Sequence, residues 1–177
     1  MVSNSIIVES LNPALGAKVK GVDFRSPLTP EVVSQIHNAW MEYQVLVFPS
    51  QSISDEQHVA VTKYFGEPEV FHQNIIKSKF VNEIFRVSNT DENGNLMLPS
   101  DPIQQQLSSA KKWHTDSSYR KVPAMGSLLH GIEVSRTGGL TCFTNMYAVY
   151  EALSPKMRDI VNGKKCRHDF EHLSRIT

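Results

Sequence analysis

The segment 113–119 (WHTDSSY) places a histidine and a carboxylate at a spacing that suits a metal site. His114 and Asp116 are two residues apart, so on an extended strand their side chains project from the same face. An imidazole nitrogen and a carboxylate oxygen are two of the three protein ligands that hold ferrous iron in 2-His-1-carboxylate sites. The spacing therefore predicts a metal site at these two residues, with a third ligand from elsewhere in the fold.

A histidine near an acid is also a common arrangement on protein surfaces. The chain contains 7 histidines and 18 acidic residues, so occasional pairs at this spacing arise by chance. The alternative interpretation is a solvated pair that binds no metal. The elements around the motif help to choose between the two.

Short apolar runs bounded by turn residues predict strands on both sides of the motif. After the motif, a turn at Gly138 and Gly139 separates two of these strands. The predicted strands cover residues 5–9, 15–23, 44–48, 82–88, 125–134 and 141–145.

Helix start signals predict four helices. Threonine followed by proline opens the first at Pro30, and a serine–glutamine capping box opens the second after Ser54. With caps and terminating glycines included, the predicted helices cover residues 30–43, 54–66, 148–153 and 154–163. The polar stretch 90–112 is predicted to be a long loop, typical of a lid over a site.

Strands dominate the second half of the chain, while most helical residues lie earlier or on connections. This order predicts an α+β fold built on an antiparallel sandwich or barrel, and not a doubly wound parallel sheet. The length of 177 residues suits a single domain, 1–177.

The composition favours a soluble protein without a polyanionic partner. Lys plus Arg and Asp plus Glu both number 18, so the net charge of zero predicts no binding to nucleic acid. We find no long apolar run or leader-like N-terminus, which predicts no membrane span. The cysteines Cys142 and Cys166 form no CxxC motif and suit a reducing compartment, so we expect a cytoplasmic protein.

Several motifs in order resemble the taurine dioxygenase / dichlorophenoxyacetate dioxygenase family of Fe(II)- and 2-oxoglutarate-dependent oxygenases. They are LGAKVKGVDFRSPL, QVLVFPSQSISDEQHVAVTKYFGE, WHTDSSY, SRTGGLT and YAVYEALSPKMRDIVNGKKCRHDF. WHTDSSY with RVSNTDENG is closer to the aryloxyalkanoate branch than to the taurine branch. The resemblance implies a double-stranded β-helix (a jelly roll, cupin-like) with flanking helices.

The resemblance also implies roles for individual residues. His114 and Asp116 match the first two iron ligands, and Thr141 matches the threonine whose hydroxyl contacts a carboxylate of 2-oxoglutarate. The family usually has aspartate before that threonine, whereas this chain has Leu140.

The implied reaction is hydroxylation of a small, anionic organic substrate, coupled to decarboxylation of 2-oxoglutarate to succinate with consumption of dioxygen. His72, Asn74 and Ser117 match positions near the substrate in relatives. Relatives of the taurine branch carry asparagine where this chain has Ala110, which argues against taurine. A homo-oligomer is compatible with the resemblance.

The third iron ligand in the family is a distal histidine, followed by an arginine that pairs with 2-oxoglutarate. Neither matches a residue here, so we expect the chain to be incomplete at its C-terminus, truncated before the barrel closes. His130, His168 and His172 are the remaining histidines after the motif, but their contexts do not match a ligand position.

Two other functions stay open from the sequence. One is a non-catalytic jelly-roll remnant or fragment that binds a small acid or a protein partner, which the missing distal histidine favours. The other is a zinc hydrolase that combines His114 and Asp116 with a local histidine, although no HExxH motif is present.

Overall fold

The computed structural model describes residues 5–70, 81–91, 93–108 and 112–169. The chain forms two compact units, one of Met1–Gly66 with His130–Lys164 and one of Glu67–Leu129 with Lys165–Thr177. The elements in chain order are β1 (Ile7–Ser10), β2 (Ala17–Lys20), α1 (Pro30–Tyr43), β3 (Leu46–Val47), α2 (Asp55–Lys63), α3 (Pro102–Ser108), α4 (Met146–Glu151) and α5 (Pro155–Val161).

A small open sheet in the first unit has the strand order β1-β2-β3. β1 pairs with β2 antiparallel, with Ile7 opposite Lys20, and β2 pairs with β3 in parallel. Ala17 and Val19 of β2 are buried, and the lysines between and after them are more exposed. The strand predicted over residues 15–23 is therefore confirmed at β2, where successive residues point to opposite faces.

The two predicted N-terminal helices form with the predicted caps. The Thr29 hydroxyl accepts a hydrogen bond from the Val32 N–H at the start of α1. At α2, the Ser54 hydroxyl accepts from the Gln57 N–H and the Gln57 side-chain oxygen accepts from the Ser54 N–H. These reciprocal bonds satisfy N–H groups that have no partner within the helix.

Both helices contribute to the hydrophobic core of the first unit. Ile36 of α1 and Val61 of α2 are buried together with Phe24, and Phe48 packs on Phe24 with ring centroids 4.8 Å apart. Burial of these side chains is the main favourable term that holds the helices against the sheet.

The stretch 90–112 is not the structureless loop that was predicted. Thr90 and Leu96 form an isolated antiparallel bridge around a turn, and α3 follows. The Asp101 carboxylate accepts from the Ile103 N–H, and Pro102 is the first helical residue, so an acid–proline start signal was present in the sequence. A lid role for this stretch stays a prediction.

Three predicted strands are wrong: residues 82–88, 125–134 and 141–145 lie outside every strand of the described part of the chain, although Phe85 forms an isolated bridge. A strand needs a partner that takes up its N–H and C=O groups, and an apolar run does not specify that partner. Several apolar side chains here are solvent-exposed, including Ile132, Val134 and Phe143. α4 begins at Met146, two residues earlier than predicted, because the Asn145 side chain caps it.

The fold class is α+β, as predicted, with a three-stranded open sheet. Among the described residues, no strands close into a barrel, so the double-stranded β-helix stays a prediction. No described helix has the length and apolar character needed to cross a bilayer.

Candidate metal centre

His114 and Asp116 lie on a loop and not on an extended strand, and within the described residues no strand pairs with residues 112–116. The two side chains nevertheless meet. His114 Nε2 is 3.2 Å from Asp116 Oδ1. A tight turn follows, closed by the Arg120 N–H donating to the Ser117 carbonyl at 3.0 Å. The i, i+2 spacing leaves the two side chains within contact distance in this loop.

The orientation of the His114 ring is set by a backbone contact. Nδ1 lies 2.7 Å from the Lys112 carbonyl oxygen, which can only accept, so Nδ1 carries the hydrogen and donates. In the neutral ring Nε2 then has a free lone pair, as in metal-binding histidines whose other nitrogen bonds to a carbonyl.

The Asp116 carboxylate is oriented in a similar way. The Ser127 hydroxyl donates to Oδ2 at 2.9 Å, whereas Oδ1 faces His114. Each side chain of the candidate pair therefore has one polar atom that bonds to a neighbour, Nδ1 or Oδ2, and one that faces the other side chain, Nε2 or Oδ1. Contacts of this kind orient the ligands of metal sites.

The pair fits a metal ion. With a neutral imidazole, Nε2 and Oδ1 are both acceptors, and two acceptors at 3.2 Å need a proton or a cation between them. For bonds of about 2.1 Å at right angles, two ligand atoms lie about 3 Å apart, which matches this spacing. The side chains are 47% and 60% exposed, so exogenous ligands can reach the pair.

The described residues contain no group of three or more His, Cys, Asp or Glu side chains that could hold a metal. His130 instead contacts the Gln51 carbonyl oxygen through Nε2 at 3.1 Å and packs edge-on against His58. His168 Nδ1 bonds the Ser118 hydroxyl at 2.8 Å. A third ligand therefore does not come from either histidine in this structure, and His172 lies outside the described residues.

Ser117 is the one buried polar residue among those described, with 8% of its surface exposed. Its hydroxyl donates to Glu69 Oε2 at 2.6 Å, and Glu69 Oε1 pairs with Arg120 Nη2 at 2.6 Å. Glu69 and Ser127 were not predicted from the sequence, because their contacts to the motif depend on tertiary structure. The substrate contact predicted for Ser117 stays a prediction.

The other predicted site residues are placed as follows. Thr141 belongs to the first unit and is exposed, after Gly138 and Gly139 with φ of 73° and 63°. These left-handed conformations confirm the predicted glycine turn. His72 and Asn74 lie outside the described residues, so their predicted roles are untested.

Comparison with known proteins places the chain in a family. The family model described as "Taurine catabolism dioxygenase TauD, TfdA family" matches residues 8–175. An (S)-phenoxypropionate/alpha-ketoglutarate-dioxygenase of Delftia acidovorans is 31% identical over 158 residues, covering 87% of this chain and 51% of that protein. An alpha-ketoglutarate-dependent 2,4-dichlorophenoxyacetate dioxygenase of Cupriavidus pinatubonensis is 29% identical, covering 93% of this chain and 58% of that protein.

Solved structures agree with these relatives. AAD-2, crystallised with Mn(II) and N-oxalylglycine, has a TM-score of 0.72 and 30% identity, covering 89% of this chain and 53% of that one. A taurine dioxygenase from Burkholderia xenovorans has a TM-score of 0.73 and 33% identity, covering 90% and 51%. The chain spans about half the length of the relatives it matches. Since the family model covers nearly the whole chain, the protein belongs to the TauD, TfdA family of dioxygenases.

Proposed function

We propose that this chain contributes to an Fe(II)- and 2-oxoglutarate-dependent dioxygenase that hydroxylates a small, anionic organic substrate. The observation that carries the proposal is the convergence of His114 Nε2 and Asp116 Oδ1, 3.2 Å apart, each fixed through its other polar atom. The phenoxypropionate and dichlorophenoxyacetate in the names of relatives support an aryloxy acid as the substrate class.

The residues of the motif have distinct tasks in this proposal. His114 holds the metal through Nε2, and its bond to the Lys112 carbonyl prevents the ring from turning away. Asp116 holds it through Oδ1 and offsets part of its positive charge. The bound Fe(II) and 2-oxoglutarate together supply the oxidising chemistry for hydroxylation of a C–H bond, with succinate as co-product.

The other site residues belong to the co-substrate and the substrate. We assign the Thr141 hydroxyl as a donor to a carboxylate of 2-oxoglutarate, and His72, Asn74 and Ser117 to the substrate side of the site. The family's third metal ligand, a distal histidine, matches no residue of the sequence. The predicted jelly roll would bring these groups together within a single domain.

The free thiols of Cys142 and Cys166 are compatible with a reducing environment, so we propose that the protein works in the cytoplasm. Its partners in this proposal are dioxygen and the small-molecule substrate. A homo-oligomer is compatible with the same proposal.

The first test is spectroscopic. Fe(II) and 2-oxoglutarate added to the protein without oxygen should produce the weak visible charge-transfer band of the chelate. His114→Ala should abolish the band, because it removes one of two ligand atoms. His37→Ala, which removes an exposed histidine of α1 outside the motif, should leave the band unchanged.

A second candidate function is a non-catalytic family member that binds a small acid or a protein partner. The observation in its favour is that the described residues include only two ligands at the candidate centre. The second function is supported if the folded protein shows no charge-transfer band and His114→Ala leaves its spectrum unchanged.

A further inference from the structure

Glu69 contacts both ends of the turn that follows the Asp116 carboxylate. Its Oε2 accepts from the Ser117 hydroxyl at 2.6 Å, and its Oε1 pairs with Arg120 Nη2 at 2.6 Å. The turn is also closed by the Arg120 N–H, which donates to the Ser117 carbonyl at 3.0 Å. We call Glu69, Ser117 and Arg120 the carboxylate clamp.

The clamp is well shielded compared with the ligand pair. Glu69 and Arg120 side chains are 24% and 33% exposed, and Ser117 is 8% exposed, against 47% and 60% for His114 and Asp116. The hydrogen bond from Ser117 to Glu69 is charge-assisted, and such a bond is stronger when shielded from water than on the surface. The clamp can therefore hold its geometry while the ligand pair stays open to solvent.

Ser117 needs such support because of its backbone conformation. Its φ is 53°, in the left-handed region that residues other than glycine adopt at a cost. The left-handed residue comes directly after Asp116, so it sets the direction in which the chain leaves the ligand. If Ser117 relaxed to a right-handed conformation, the Asp116 carboxylate would move relative to the His114 ring.

We propose that Glu69 is a positioning residue for the metal centre: through Ser117 and Arg120 it holds the turn that keeps Asp116 Oδ1 beside His114 Nε2. This inference rests on the proposed function, since it assigns a metal to that pair. Glu69 touches neither ligand atom itself, and it lies 48 positions before Ser117 in the chain. Glu69 therefore acts on the orientation of the metal ligands and is not itself a ligand.

The test is a titration of the full chain with Mn(II). The electron paramagnetic resonance signal of the free ion measures how much Mn(II) remains unbound. In Glu69→Gln, one carboxylate oxygen becomes an NH2 donor and the negative charge is lost, so the side chain no longer accepts from Ser117 through one oxygen while it pairs with the Arg120 charge through the other. We expect Mn(II) affinity to fall about tenfold, the size seen when contacts behind metal ligands are lost. Glu67→Gln makes the same change at an exposed site two residues earlier, and its affinity should stay within twofold of wild type.

A second readout needs no metal. Glu69→Gln should speed hydrogen exchange at the Arg120 amide, which closes the turn, while the Glu67→Gln control should not. If Glu69→Gln does not fold, Ser117→Ala replaces it, because that variant removes one hydroxyl and keeps the ion pair. Its Mn(II) affinity should also fall.

The outcomes separate the two proposals. The positioning role is overturned if His114→Ala abolishes Mn(II) binding while Glu69→Gln and Ser117→Ala keep an affinity within twofold of wild type. The proposed function stays intact in that case. Absence of any His114-dependent Mn(II) binding in the wild-type chain overturns the proposed function and the positioning role with it. Faster exchange at Arg120 in Glu69→Gln would then still show that Glu69 holds the turn.

Discussion

At the scale of single residues, hydrogen bonds to one atom of a side chain determine what its other atom can do. The Lys112 carbonyl occupies His114 Nδ1 and the Ser127 hydroxyl occupies Asp116 Oδ2, so Nε2 and Oδ1 are the atoms that face each other. This division orients both atoms toward the position that the proposed metal would occupy.

A different carboxylate shows how a neighbouring charge acts on titration. The Arg25 guanidinium donates to Asp23, and this side-chain hydrogen bond lowers the pKa of Asp23 to about 2 from 3.8. Because the folded-state pKa is depressed, the stabilising contribution is present above pH 3.8 and is lost as the pH falls toward 2.

We therefore expect the Asp23 carboxyl to titrate near pH 2 when followed by NMR, and to move up toward 3.8 in Arg25→Ala. Asp91 provides an internal control, since its pKa is lowered mainly by the Asn95 side chain and should not respond to Arg25→Ala. An Asp23 midpoint that stays near 2 in the variant would contradict the assignment to Arg25.

At the scale of elements, the helix caps are the features that local sequence specifies best. Ser54 and Gln57 exchange two hydrogen bonds across the first turn of α2, and Asn145 accepts from two N–H groups at the start of α4. Only three or four consecutive residues are needed for each motif, so its formation does not depend on distant parts of the chain.

Ser54→Ala should lower the free energy of unfolding by about 1 kcal/mol, because the Gln57 N–H loses its acceptor. Urea denaturation followed by circular dichroism measures this change. Ser52→Ala, which removes an exposed hydroxyl just before the helix, should change stability by less than about 0.5 kcal/mol. Equal effects of the two substitutions would mean that the cap contributes little to α2.

At the scale of the whole molecule, the structure divides into a unit with a hydrophobic core and a unit that carries the candidate metal ligands. The described core residues, among them Phe24, Ile36 and Val61, all belong to the first unit. In the second unit, the described contacts around the ligand pair are mostly polar: the Glu69–Arg120 ion pair and the hydroxyls of Ser117 and Ser127.

Ile36→Ala should destabilise the first unit by about 2–4 kcal/mol, because it leaves a cavity where a buried side chain of α1 packs against Phe24 and Val61. Met41→Ala, on the exposed side of the same helix, should cost less than about 1 kcal/mol. Thermal and urea denaturation measure the change in the free energy of unfolding for both variants. If Ile36→Ala lowers the free energy of unfolding no more than Met41→Ala does, this cluster is not the main source of stability.

Prediction from sequence was most accurate where the physics is local. The capped helices α1 and α2, the alternation of β2 and the left-handed glycine turn before Thr141 all follow from a few adjacent residues. The meeting of His114 and Asp116 belongs to the same class, since the two residues are only two positions apart in the chain. The ordered motifs also identified the family.

Features that depend on distant partners could not be predicted in this way. Whether 125–134 becomes a strand depends on a neighbour that supplies hydrogen bonds, and its apolar pattern contains no information about that neighbour. The same limit applies to the Glu69 contact, because nothing in the local pattern around residue 69 indicates Ser117, 48 positions later. The sequence by itself determined the types and the spacing of the candidate ligands, whereas the tertiary structure decided which of their atoms face each other and which carboxylate contacts the turn that follows them.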